Sequence, residues 1–351
     1  MLWSKAIGAG AEKKKPQVIA LAHDSSPFIS AYTWSSDTGF GVKFANPAIL
    51  PSGNGNKVSF SGTGDAVAVA HPNEPSVSAY PWSSATGFGA KYANPATLPV
   101  GIGYAVSFSP DGNAIAVGHQ TTPYISAYPW SSATGFGVKY ANPAVLPGNA
   151  VLDVSFSRSG DAIAVAHINA PNLAAYPWSS ATGFGTRYAN PATLPTGTSR
   201  GVSFSPADDA IAFAHQSSPF ISAYPWSSAT GFGAKYANPT TLPPATGYGV
   251  AFSPAGDAVS VAYEASPFIS AYPWSSATGF GAKYANPTTL PPEVSLYTAF
   301  SPAGDAVFVG HITSPNITAY AWSSATGFGA KYANPATLPP GSVRGMSFTG
   351  G

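Results

Sequence analysis

Apolar and polar positions fall in short bursts. From Gly201 the chain reads GVSFSP, ADD, AIAFAH, QSSP, FISAYPW, SSAT, GFGAKYANP, TTLPPAT. Four apolar or alternating stretches are separated by clusters of Gly, Pro, Ser and Asp, the pattern of strands bounded by turns. They predict strands A (VSFS), B (AIAFAH), C (ISAYPW) and D (FGAKYAN). Strand B is apolar without strict alternation, which suits a strand covered on both faces.

The unit recurs without insertion or deletion. Trp34, Trp82, Trp130, Trp178, Trp226, Trp274 and Trp322 are each 48 residues apart. The same step separates Phe60 from Phe108 and its further copies. It also separates His23, His71, His119, His167 and His215; Tyr263 takes the next place and His311 the last. Seven such units fill Pro16 to Gly351 and leave residues 1–15 as a separate tail. Four strands per unit in seven copies predict a β-propeller. The alternative is a linear solenoid, which needs distinct end caps. The array begins at strand B (Val18 to His23) and ends at strand A (Val343 to Phe348), so the two ends make one complete blade when joined. The fold class expected is all-β: a closed seven-bladed propeller of four antiparallel strands per blade, with C-terminal strand A pairing N-terminal strand B. Ala-rich strand B suits the narrow centre of a ring, and the Trp, Tyr and Phe of strands C and D suit the widening wedge.

Composition narrows function. Charged residues are 8% of the chain and the formal net charge is +1, which gives no electrostatic drive toward nucleic acid or an anionic membrane. There is no Cys, hence no disulfide, thiolate metal site or Cys nucleophile. No apolar run reaches the roughly 18 residues of a transmembrane helix. Lys5 interrupts the apolar start and Lys13–Lys15 follow it, the reverse of a signal peptide. No membrane insertion and no nucleic-acid partner are expected.

The repeated polar residues read as structural. Histidines one blade apart on strand B are too distant to share a metal ion and are expected to hydrogen-bond at the strand end. Lys43, Lys91, Lys139, Arg187, Lys235, Lys283 and Lys331 fall on strand D, where charge discourages edge-to-edge pairing. Asp65, Asp161, Asp209, Asp257 and Asp305, with Asn113 in one copy, cap the A–B turns and are too sparse for calcium. Asn316-Ile317-Thr318 matches a glycosylation sequon. No nucleophile elbow, phosphate loop or recurring carboxylate pair stands out. No catalytic residue, metal or cofactor is therefore expected, and the protein reads as a non-enzyme.

Copies differ mainly in the D–A and B–C loops, which share one face of a propeller, while the A–B and C–D turns of the other face are nearly uniform. The position before strand A runs Asn56, Tyr104, Leu152, Arg200, Tyr248, Leu296, Arg344, and its successor runs Lys57, Ala105, Asp153, Gly201, Gly249, Tyr297, Gly345. The B–C loop contributes Phe28, Ser76, Tyr124, Asn172, Phe220, Phe268 and Asn316. Exposed Tyr, Arg and Phe are the usual composition of a binding surface. The candidate ligand-binding residues are therefore Tyr104, Arg200, Tyr248 and Arg344 at the channel mouth, with Phe28, Tyr124, Phe220 and Phe268 around it.

Ser109-Pro110-Asp111-Gly112 followed by Ala114-Ile115-Ala116 resembles the strand-turn-strand of WD40 repeats. Trp130-Ser131-Ser132-Ala133-Thr134-Gly135 resembles their Trp-Asp-x-x-Thr-Gly ending. Ser replaces Asp, and no Gly-His pair precedes strand A, so the hydrogen-bonded tetrad of that family is not carried over. The opening Met1-Leu2-Trp3-Ser4-Lys5-Ala6-Ile7-Gly8-Ala9-Gly10 is similar to structural proteins of marine tailed bacteriophages. So are the SSATGFGAKYANPATLP units to propellers of such phages. That resemblance implies a virion-associated display propeller, anchored by its N-terminal tail on another virion protein and presenting its variable face to a protein partner or surface glycan. A purely structural or decorating protein, and an enzyme with its site at the channel mouth, are the alternatives.

Overall fold

The computed structural model describes residues 17–349. Seven four-stranded antiparallel sheets form a ring. Six are contiguous in sequence. The seventh joins C-terminal strand A (Val343–Phe348) to strands B (Gln17–His23), C (Ile29–Ser35) and D (Gly39–Lys43) from the other end. Its register runs Ile19↔Phe348, Ala20↔Ser347, Leu21↔Met346, Ala22↔Gly345, and Thr349 N–H donates to Val18 O at 3.0 Å. The closure expected from the partial repeats is the one found. The N-terminal tail lies outside the described residues.

The core lies between blades. Each Trp of strand C sits edge-on among three rings. Around Trp178 these are Tyr140 of the preceding blade at 5.2 Å, Phe156 at 5.3 Å and Phe184 at 5.0 Å between centroids. The strand C tyrosines bury their rings, and six of the seven find acceptors: Tyr80 Oη donates to Ile49 O at 2.9 Å and Tyr128 Oη to Thr97 O at 2.7 Å, while the Tyr32 hydroxyl has no partner. The indole N–H groups of Trp34, Trp82, Trp130, Trp178, Trp226 and Trp274 find none; rings surround them instead of oxygens.

Strand D departs from expectation. It has two residues in five blades, as in Gly87–Phe88, and five residues in only two, Gly39–Lys43 and Gly327–Lys331. The cause is one position of strand C. Pro81, Pro129, Pro177, Pro225 and Pro273 occupy it in the short blades, Thr33 and Ala321 in the long ones. Proline accepts a bond, as from Gly89 N–H to Pro81 O at 2.8 Å, but has no N–H to return one, so the ladder stops. Lys43 and Lys331 therefore lie inside strands, paired opposite Tyr32 and Tyr320; Lys91, Lys139, Arg187, Lys235 and Lys283 do not. Limited trypsin digestion is expected to cut first after these five and later after Lys43 and Lys331, giving products spaced by one repeat. Equal early cleavage at all seven, read by mass spectrometry, would refute this account.

Four of the six histidines bridge their B–C loops; His119 keeps only the contact of its Nε2 with Ser126 Oγ, and neither ring nitrogen of His167 has a hydrogen-bond partner. His71 Nδ1 lies 2.9 Å from Asn73 O and its Nε2 2.9 Å from Ser78 Oγ; His23, His215 and His311 repeat both contacts. Tyr263 replaces this bridge: its hydroxyl donates to Ile269 O at 2.9 Å and lies 2.8 Å from Ser270 Oγ.

Candidate functional site

Seven A strands line the axis. From the uniform face the channel opens as a vestibule of about 740 Å³, walled by the repeated Phe and Ser-Pro turns. It narrows to an inner chamber of about 290 Å³ lined by Ser59, Ser107, Ser155 and Ser203 and bounded by Lys57, Asp153 and Tyr297. The serines stitch neighbouring strands together: Phe108 N–H donates to Ser59 Oγ at 3.2 Å and Phe60 N–H to Ser347 Oγ at 2.9 Å.

Lys57, Asp153 and Tyr297 are the same repeat position on three different blades. The other four copies are Ala105, Gly201, Gly249 and Gly345. Strands crowd here: a Cβ on Gly345 would lie 2.8 Å from Lys57 Cα, and one on Gly249 3.0 Å from Tyr297 Cα. Small residues in four blades leave room for three large polar ones to meet across the axis. A register shift just before the position, between Val151 and Asp153 and between Ser295 and Tyr297, bulges one residue; it recurs before Ala105, Gly201 and Gly249, so it belongs to the scaffold.

The contacts are short and buried. Lys57 Nζ lies 3.0 Å from Asp153 Oδ1, with both side chains only 10% exposed, and 3.9 Å from the centre of the Tyr297 ring. Asp153 also accepts from Val154 N–H at 3.0 Å and from Val202 N–H at 3.1 Å. Burial alone would lower the Lys57 pKa, but Asp153 and then Tyr297 outweigh it and the net shift is upward. Burial pushes the Tyr297 phenol up, as does Asp153, with Lys57 opposing. At neutral pH the layer therefore holds an ammonium and a protonated phenol beside Asp153. Three donors occupy about three of the four lone-pair directions of a carboxylate, leaving one for a water or a ligand.

One residue nearer the variable face stand Tyr104, Arg200, Tyr248 and Arg344, all half-buried. Arg200 lies over the Tyr248 ring at 5.1 Å, and Arg344 pairs with Asp24 at 3.4 Å. Neither guanidinium Nε has a hydrogen-bond partner. Phe28, Tyr124, Phe220 and Phe268 are half-buried on the B–C loops, each following a cis proline at φ between 67° and 70°. The structure thus brings four expected residues to the channel mouth and leaves the other four between loops. Lys57, Asp153 and Tyr297 had only been placed along the ring. Their convergence depends on the small residues that stand at this position in the other four blades.

No family model and no curated protein matches the chain. Solved propellers do. A structure from Bacteroides uniformis described as a "putative 6-phosphogluconolactonase" shares 15% identity, covers 96% of this chain and 100% of its own, and gives a TM-score of 0.74. A second so described, from Bacteroides fragilis, shares 11%, covers 97% and 99%, and also gives 0.74. The periplasmic gluconolactonase of Pseudomonas aeruginosa shares 15%, covers 95% and 99%, and gives 0.70. At such identities the likeness shows the fold. It also overturns two expectations, that the protein is no enzyme and that it is a display or decorating module of a virion, because these three propellers, which it superposes on almost end to end, are described as 6-phosphogluconolactonases or a gluconolactonase. The likeness of residues 1–10 to phage proteins falls outside the described residues and finds no support in these matches. What the chain resembles, over nearly its whole length, is a set of seven-bladed propellers described as lactonases.

Proposed function

We propose that the protein hydrolyses a small sugar-derived lactone at the polar layer of its channel. The observation that carries this reading is the Lys57–Asp153–Tyr297 cluster, which breaks the seven-fold repeat beside a chamber of about 290 Å³. Its support is chemical. Ester hydrolysis is accelerated by a hydrogen-bond donor or positive group at the carbonyl oxygen, an acceptor for the proton of the attacking water and a donor for the departing ring oxygen. Lys57 supplies the first, the free lone pair of Asp153 the second and the protonated Tyr297 phenol the third. Water adds to the carbonyl carbon and gives its proton to Asp153. The ring C–O bond then breaks, and its oxygen takes a proton from Tyr297, which Asp153 replenishes. The product is the open hydroxy acid. Arg200 and Tyr248, with Tyr104 and Arg344, are proposed to bind the substrate from the variable-face side.

The test is pH-stat hydrolysis of glucono-δ-lactone above its spontaneous rate. Asp153→Asn is expected to lower kcat/KM by about 10²–10³-fold, and Lys57→Met by a similar factor. Lys283→Ala on the outer rim should leave the rate unchanged. Circular dichroism separates these losses from unfolding, since breaking a buried pair is itself destabilising. A folded Asp153→Asn variant with undiminished turnover, or a native protein inert toward a panel of γ- and δ-lactones, would reject the reading.

A further inference from the structure

The B–C loops carry a second kind of site. All seven pass through a left-handed residue at the same place: Phe28, Ser76, Tyr124, Asn172, Phe220, Phe268 and Asn316, with φ from 66° to 70°. A shared backbone conformation gives a shared Cα–Cβ direction. Four blades put an aromatic ring on that stem, and these rings are half-buried; Tyr124 packs on the inter-blade core that contains Val151 and Ala105. In two blades the Asn side chain turns back on its own loop, Asn172 Nδ2 donating to Ile168 O at 2.9 Å and Asn316 Nδ2 to Ile312 O at 3.3 Å.

Ser76 does neither. Its hydroxyl donates to Gly101 O at 2.6 Å, and beside it opens a cavity of about 390 Å³ walled by Pro72, Leu98, Pro99 and Val100, with Glu74 also lining it. The walls are two prolines and two aliphatic side chains. The polar group at the base is already satisfied, so a bound ring would strand no donor or acceptor. Glu74 makes no ion pair among the described residues, so a carboxylate stands free at the cavity.

We propose that the Ser76 cavity binds an aromatic ring bearing a cationic group, an arylalkyl amine, whether free or carried by a peptide. The ring takes the place that Phe28, Tyr124, Phe220 and Phe268 fill in their own blades, and the amine pairs with Glu74. The site is separate from the channel and does not depend on the activity proposed there.

Phenethylamine and benzyl alcohol serve as probes, titrated against the full chain and followed by NMR. Saturable binding of both is expected, with the amine tighter. Glu74→Gln should weaken phenethylamine several-fold and leave benzyl alcohol unchanged. Ser76→Phe copies what the other blades already carry; it should abolish binding of both probes and raise the melting temperature. If that variant does not fold, Val100→Asp at the half-exposed wall should still weaken benzyl alcohol. The proposal is overturned if neither probe saturates, if Ser76→Phe binds them as the native chain does, or if Glu74→Gln affects both equally.

Discussion

Deletion of residues 343–351 is expected to yield no folded monomer. The segment is the inner strand of the closing blade, not a tail. Its loss strips Val343 and Met346 from a core cluster shared with Ile19, Leu21, Trp34 and Phe308, and it unpairs the inner edge of the strand Gln17–His23. A buried Val or Met side chain contributes about 1.5–3 kcal/mol, and each backbone group left buried without a partner costs about 1–3 kcal/mol more. A few such losses match the 5–15 kcal/mol by which domains of ordinary stability persist. The exposed edge is also a template for pairing with another chain. Size-exclusion chromatography and thermal melting check this: a monomeric truncated protein with an unchanged transition would refute closure by strand exchange.

Acid should undo the ring steeply. His23, His71, His119, His167, His215 and His311 are fully buried, and burial lowers each pKa from 6.5 to about 4. A group whose folded pKa lies below its unfolded one binds more protons when unfolded. Stability is therefore complete above pH 6.5 and falls as pH drops toward 4. Within that window each imidazole costs about 1.4 kcal/mol per pH unit. Asp24, Asp65, Asp111 and Asp161, whose pKa values are lowered by side-chain and backbone hydrogen bonds, joined at Asp24 by the charge of Arg344, that outweigh their burial, act in the same direction only at lower pH. Six histidines acting together are expected to produce cooperative unfolding between pH 6 and pH 4, seen by tryptophan fluorescence as the indoles leave their ring clusters. A transition below pH 3 would assign acid lability to the carboxylates instead.

The architecture could be read from spacing because an unbroken period of 48 residues admits few folds, and because the two partial units at the chain ends complement each other. The length of strand D was equally present in the sequence, but its cause lies in the neighbouring strand: Pro81 stops a ladder whose residues look the same in the blades of Thr33 and Ala321. The candidate site was half legible. Lys57, Asp153 and Tyr297 are visible in the sequence as departures from the repeat, yet they form no recurring acid pair, since one acid, one base and one phenol come from three different blades. Their meeting depends on Gly249 and Gly345, whose missing side chains are a positive feature only in three dimensions. Ser76 likewise read as one more variant among loop residues until the shared left-handed backbone showed what its copies hold.

The polar layer also bears on symmetry. A channel lined by seven identical strands would offer a small molecule seven equivalent poses, a degeneracy of RT ln 7, about 1.1 kcal/mol at room temperature, and no preferred direction for a reaction. With Lys57, Asp153 and Tyr297 drawn from three non-adjacent blades and small residues in the other four, only one rotation of a bound molecule places its carbonyl oxygen at the ammonium and its ring oxygen at the phenol. The asymmetry that turns a repeating scaffold into an oriented one thus lies in this layer and in the variable one beside it that holds Tyr104, Arg200, Tyr248 and Arg344, while the phenylalanine layer of the vestibule stays identical in all seven blades without blurring the pose.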